Sequence, residues 1–184
     1  MARVPYINSD EATGRTKELL DGVKARFGAV PNSLQAMAGS AVLEGYLGLS
    51  GALAAGHVPP AIAERIALAV AERNGCSYCL SGHTFAAERA VGLDRAEIDA
   101  ARRFESAEPD ADAALKFAHA VLSTRGEVAD DALATARRAG LADAQLAEIV
   151  GHLALNVLTN YFNKTFAIDI DFPVVEPDLG ARAA

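Results

Sequence analysis

Only two cysteines occur among the 184 residues, and both fall in one short stretch. In a reducing compartment such a lone pair, spaced Cys-x-x-Cys, is catalytic or metal-binding more often than it is a structural staple. Other absences narrow the field further. No apolar run approaches the roughly 18 residues of a membrane span. The opening MARVPYINSDEATGR has no apolar core behind a basic stretch, so it does not read as a signal peptide. Basic residues are outnumbered, 17 Lys and Arg against 24 Asp and Glu, whereas nucleic-acid binders concentrate positive charge on one face. Internal repeats of fixed period and low-complexity segments are also missing. The expectation is a cytoplasmic protein with neither membrane nor nucleic acid as partner, and with hydrophobic content of 51% it can bury a full core as a single domain over 1–184.

What is present is helical patterning. Apolar residues recur at three- and four-residue spacing in Leu19, Leu20, Val23 and Phe27, and again in Leu115, Phe117, Ala118, Val121 and Leu122. No segment alternates for long at period two. The pattern predicts an all-α bundle of seven or eight helices. Gly28 ends the first, and Ser33 is an expected N-cap of the second. Pro59 and Pro60 open another, where a missing N–H is tolerated. Gly92, Asp94 and Glu97 read as a stop, an N-cap and its capping-box partner, and Gly140 closes one helix before Ala142 or Asp143 opens a long one reaching Phe166. From Phe172 onward the chain reads as an extended or frayed arm.

The two cysteines can now be placed. The segment PPAIAERIALAVAERNG forms a helix with Ile62, Ile66, Ala69 and Val70 on its apolar face, and Asn74-Gly75 stops it. Cys76 therefore falls in the first turn of the following helix, where unpaired N–H groups and the positive end of the macrodipole favour a thiolate. Cys79 lies three residues on and His83 four beyond that, so two thiols and an imidazole share one face. Antiparallel packing through the Asn74-Gly75 turn sends Glu64 toward His83. Such a set suits peroxide reduction. A thiolate attacks the distal oxygen, leaving a sulfenic acid that the second thiol condenses to a disulfide, while an imidazole backed by a carboxylate handles the protons. An external dithiol must then reopen the disulfide.

Glu64, Cys76, Cys79 and His83, at this spacing, resemble the active-site signature of the alkylhydroperoxidase D-like, peroxidase-related branch of the carboxymuconolactone decarboxylase superfamily. FGAVPNSLQAMAGS and LNVLTNYFNKTFAIDIDFP extend the resemblance over most of the chain. It implies an all-α fold with the core motif at about 58–105, a C-terminal arm at about 167–184, and a homo-oligomer, commonly a trimer or hexamer. It also implies antioxidant alkylhydroperoxidase activity without a cofactor or metal. Cys79 would be the peroxidatic thiol, His83 its activating base, Glu64 the group that orients His83, and Cys76 the resolving thiol. Lipoyl or thioredoxin-like dithiols are the implied reductants. Tyr78 stands where alkylhydroperoxidase D carries a second histidine, and it reads as a wall of the site or a half-buried phenol.

Other assignments compete. A carboxymuconolactone-type decarboxylase has no need of two vicinal thiols. Cys76, Cys79, His83 and Glu64 number enough for a zinc scaffold, and the pair could also act as a redox sensor. His57 and His119 read as surface or core residues. His152, Asn156, Asn160 and Asn163 form a neutral stripe at helical spacing, fit for a subunit contact or the approach to the site, with the structural role preferred. With apolar Phe166, Ile168, Ile170 and Phe172 after it, that stripe predicts an obligate homo-oligomer.

Overall fold

The computed structural model describes residues 1–178. Among them are nine helices in the order α1 (Gly14–Phe27), α2 (Asn32–Met37), α3 (Ala41–Ala54), α4 (Pro60–Arg73), α5 (Ser77–Arg89), α6 (Arg95–Ala101), α7 (Pro109–Thr124), α8 (Asp130–Arg138) and α9 (Asp143–Phe166). The class is all-α as expected, with one helix more than the seven or eight anticipated. No described helix is long and apolar enough to cross a membrane.

Local chemistry sets the boundaries. Gly28 closes α1 at φ 80°, a left-handed conformation that a side chain resists. Pro60 opens α4 where no N–H is needed. Asp94 caps α6 by accepting from the Glu97 N–H at 2.9 Å, but the reciprocal half of the expected capping box is absent. The Glu97 carboxylate instead accepts from Arg65 Nε, Ser106 Oγ and the Ala107 N–H, because a fully buried guanidinium has more need of it than an exposed helix end. Ser33 is likewise not an N-cap. Pro31 holds that place, and Ser33 is buried inside α2.

At the centre lies α4, buried from Arg65 through Glu72 and packed against α5, α6, α7 and α9. A helix buried on every side exceeds the single apolar stripe that its sequence pattern suggested. Its one basic residue within that stretch, Arg65, is fully buried and bridges Glu97 and Glu108. Hydrophobic clusters form around α4 and, separately, around Leu20, Val23, Leu34, Met37 and Leu43 of α1–α3. Phe162 of α9 packs against both.

The described segment after α9 forms neither helix nor strand, as an extended arm would, and it is docked rather than frayed. Ile168 is buried, Phe172 meets the rings of Tyr78 and Phe85 at 5.8 and 6.0 Å, and the Val175 N–H donates to Ser81 Oγ at 2.9 Å. Arg102 anchors the far end through the Glu176 carbonyl and the Asp178 carboxylate. A Cβ on Gly82 would stand 3.3 Å from the Phe172 ring, so the strap lies close because that position is glycine. Residues 166–172, expected to seek a second subunit, thus spend apolar surface inside the chain. The last part of the expected arm, residues 179–184, lies outside the described residues.

Glu97→Ala removes the carboxylate that satisfies Arg65, Ser106 and the Ala107 N–H together. The expected cost is about 3 kcal/mol, as for breaking a buried ion pair, read in urea unfolding as a lower midpoint at unchanged slope.

Candidate active site

A tight turn between α4 and α5 builds the site. Gly75 adopts φ 61°, its N–H donates to the Glu72 carbonyl, and the Cys76 N–H donates to the Ala71 carbonyl at 2.9 Å. Glycine takes this conformation without strain, so α5 starts at once and Cys76 becomes its N-cap. The Cys76 sulfur accepts from the Cys79 N–H at 3.3 Å, the duty a serine or aspartate oxygen performs in other helices. Its S–H in turn donates to Cys79 Sγ at 2.8 Å. Both cysteines are free and buried.

From the opposite wall, α9 supplies a second donor. Asn163 Nδ2 reaches Cys79 Sγ at 3.2 Å, while its Oδ1 accepts from Ser33 Oγ at 2.7 Å. Asn160, one turn back, is held by Asn74 Nδ2 at 2.9 Å, and its own Nδ2 is buried without a full hydrogen bond. The Tyr78 hydroxyl accepts from the Ser33 N–H at 3.1 Å, so α2, α5 and α9 are tied together beneath the thiols. Burial pushes the Tyr78 phenol far up, so it is a neutral wall.

These contacts separate the two thiols. Donation from Cys76 lowers Cys79 most; burial opposes this, and Asn163, the charge of His83 and Asn160 add to the lowering, to about 6. Cys76 moves up, because it keeps its proton on Cys79 and is buried. Burial pulls the His83 imidazole down, but the charge of Glu64 and a 2.8 Å bond from His83 Nδ1 to Glu64 Oε2 outweigh it, and His83 ends above its ordinary value. A thiolate at Cys79 and an imidazolium at His83 therefore coexist from about pH 6 upward, until His83 deprotonates. With side chains 30% and 25% exposed, His83 and Glu64 meet solvent; the thiols do not.

All four residues singled out by spacing converge here. His83 influences Cys79 through charge, whereas the first hydrogen bonds come from Cys76 and Asn163. The amide stripe, assigned above to structure, is buried within the chain; its Asn160 and Asn163 end lies at Cys79, whereas Asn156 bonds back to the His152 carbonyl. Tyr46 of α3, close enough to feel the charges of Glu64 and Cys79, gave no signal in the sequence. His57 lies apart, bonded to Glu148, and His119 packs against Phe104. Among the described residues no three His, Cys, Asp or Glu side chains are grouped to hold a metal.

Residues 40–124 match the sequence model of the carboxymuconolactone decarboxylase family. No curated protein matches the chain significantly. Among solved structures, an uncharacterized peroxidase-related protein with the alkylhydroperoxidase core from Ralstonia eutropha JMP134 is similar, with a TM-score of 0.82 at 21% identity over 92% of both chains. A peroxidase-related protein from Silicibacter sp. TM1040 has a TM-score of 0.78 at 21% identity over 91% of both chains. The debrominase Bmp8 has a TM-score of 0.74 at 24% identity over 92% of this chain and 91% of its own.

Alkylation of the reduced protein is expected to show Cys79 reacting with a midpoint near pH 6 and Cys76 reacting only at alkaline pH, resolved by peptide mass spectrometry. Because the folded value lies below the unfolded one, the stability that the Cys79 thiolate contributes is complete above about pH 9 and lost as pH falls through about 6. Asn163→Leu removes one donor to the thiolate and should raise the midpoint by about one unit, the worth of a hydrogen bond to a charged group. An unmoved midpoint would show that the amide does not hold the charge.

Proposed function

For a chain whose residues 40–124 match the model of the carboxymuconolactone decarboxylase family, we propose thiol-dependent reduction of small hydroperoxides. The observation that carries this is the Cys79 sulfur, hydrogen-bonded by Cys76 at 2.8 Å and lowered to about 6, beside an imidazole paired with a carboxylate. Cys79 attacks the distal peroxide oxygen, an S–O bond forms as the O–O bond breaks, and the His83 imidazolium protonates the departing alkoxide. Cys76 then attacks the sulfenic sulfur, an S–S bond forms, and the hydroxide leaves as water with the Cys76 proton. Asn163 holds the thiolate, with Asn160 beside it; Glu64 is the positioning residue behind His83.

The cycle closes when an external dithiol takes up the oxidising equivalents. The working form is a homo-oligomer. Val150, Leu158 and Tyr161 on α9 and Leu49 on α3 remain exposed, a partner face other than the stripe expected from sequence. Reductive dehalogenation is a second reading, favoured by the shared fold of the debrominase Bmp8. In that reaction the same dithiol goes to disulfide as carbon–halogen becomes carbon–hydrogen and halide is released.

One equivalent of peroxide should remove two thiols rapidly and leave an intramolecular Cys76–Cys79 disulfide by mass spectrometry. Modification no faster than that of free cysteine overturns peroxidase activity, and bromide release from an activated bromoarene then supports dehalogenation.

Glu64→Gln keeps the shape of the side chain but removes the charge that raises His83. Peroxide turnover should fall roughly 10²-fold, as for loss of general acid–base assistance, with the Cys79 alkylation midpoint raised and the melting temperature changed by only a few degrees. A large loss of stability with an unmoved midpoint would mark Glu64 as structural.

A further inference from the structure

A cleft of about 170 Å³, open to solvent, lies against the resolving thiol and is lined by Gly75, Cys76, Ser77, Lys164, Ile168 and Ile170, with Tyr78 and Asn163 completing it. Cys79, His83 and Glu64 are not among its lining residues. Its volume equals that of about five or six liquid waters, enough for a small thiol. Among the described residues, Lys164 is the one charged side chain on its walls. The ammonium donates to the Asn74 carbonyl, which holds it over the turn, and its charge reaches the Cys76 sulfur. The carboxylates of the strap beside the cleft are already engaged: Asp169 accepts from the Tyr6 hydroxyl at 3.0 Å, Asp171 from the Asn32 N–H at 2.8 Å and Glu176 from Ser77 Oγ at 2.6 Å.

Resting on the disulfide cycle proposed above, we infer that this cleft receives the reductant, and that the reductant is a thiol carrying its own negative charge, which Lys164 attracts while the thiolate attacks Cys76. The bookkeeping of bonds supports that direction. Attack on Cys76 forms an R–S–S–Cys76 mixed disulfide and breaks the Cys76–Cys79 bond, expelling Cys79 as thiolate. A second thiol group then attacks the reductant's sulfur, forming the oxidised reductant and releasing Cys76 as thiolate, which takes up a proton. Two thiols are oxidised and one disulfide is reduced. Exchange is faster when the leaving thiol has the lower pKa, and Cys79 departs toward the waiting donor of Asn163. The opposite course would expel Cys76, which the Cys79 N–H meets at 3.3 Å but which still ends above its ordinary value and so is the poorer leaving thiolate. Peroxide chemistry beside the half-buried His83 and Glu64 and reduction at the Lys164 cleft would then use different surfaces of one dithiol.

The test forms the disulfide with diamide, so that it does not depend on peroxide, and follows the return of two free thiols. The probes are 3-mercaptopropionate, 2-mercaptoethanol and cysteamine, which are anionic, neutral and cationic. Comparing Lys164→Glu with the unaltered protein thiol by thiol cancels their intrinsic reactivities. The expected result is a rate about fivefold to tenfold lower for 3-mercaptopropionate, nearly unchanged for 2-mercaptoethanol and higher for cysteamine, as for reversing one exposed charge, with Lys164→Gln in between. Equal changes for all three thiols, or none, in both variants overturn the assignment. Rapid oxidation by peroxide without this charge dependence removes the cleft and leaves the peroxidase; charge dependence without oxidation by peroxide does the reverse.

Discussion

The contact between Cys76 and Cys79 is the constraint around which the structure is arranged. One sulfur caps the start of α5 and donates its proton; the other receives that donation and becomes the charged member of the pair. Two chemically identical side chains are thereby made unequal, one a thiolate near neutral pH and the other a protonated thiol. Such a division requires the sulfurs to stand within a hydrogen bond of each other in the reduced protein. That in turn requires α5 to begin at Cys76, with no residue to spare after the left-handed Gly75.

Burying a thiolate is costly unless donors meet it. The chain meets this one with amides. Asn163 donates to the sulfur without adding a charge of its own, and Ser33 fixes the amide's orientation. A lysine in that place would also favour a thiolate, but it would bring a second charge that needs desolvating. The neutral stripe of α9 is therefore suited to a dry site, and it explains why the longest helix carries polar residues on a face packed into the protein.

Proton handling sits at the boundary with water. His83 and Glu64 keep partial exposure, so protons can exchange with solvent while the sulfurs stay shielded. The strap after α9 covers α5 and supplies Ile168 and Ile170 to the wall of the cleft beside Cys76. It is pinned at Ser81, Arg102 and Glu72 and lies close over α5 where Gly82 leaves room for Phe172. Of the two buried arginines, Arg65 ties α4 to Glu97 and Glu108, and Arg102 joins Glu72 of α4 to Asp178 of the strap.

Much of this was legible in the residues alone. The helix class followed from spacing, the start of α5 from Asn74-Gly75, and the meeting of Glu64 with His83 from antiparallel packing of two adjacent helices, because each rests on contacts close in sequence. Three features did not follow. The stripe from His152 to Asn163 turns inward, Glu97 leaves its helix cap for Arg65, and the apolar run after Phe166 folds back over α5; each is decided by a partner more than 30 residues away. Periodicity shows that a face differs from its opposite side, but not what it will meet. Residue types and local geometry determined which groups could share protons here. Only the packing of α9 and the strap against the α4–α5 turn decided which sulfur would hold the charge.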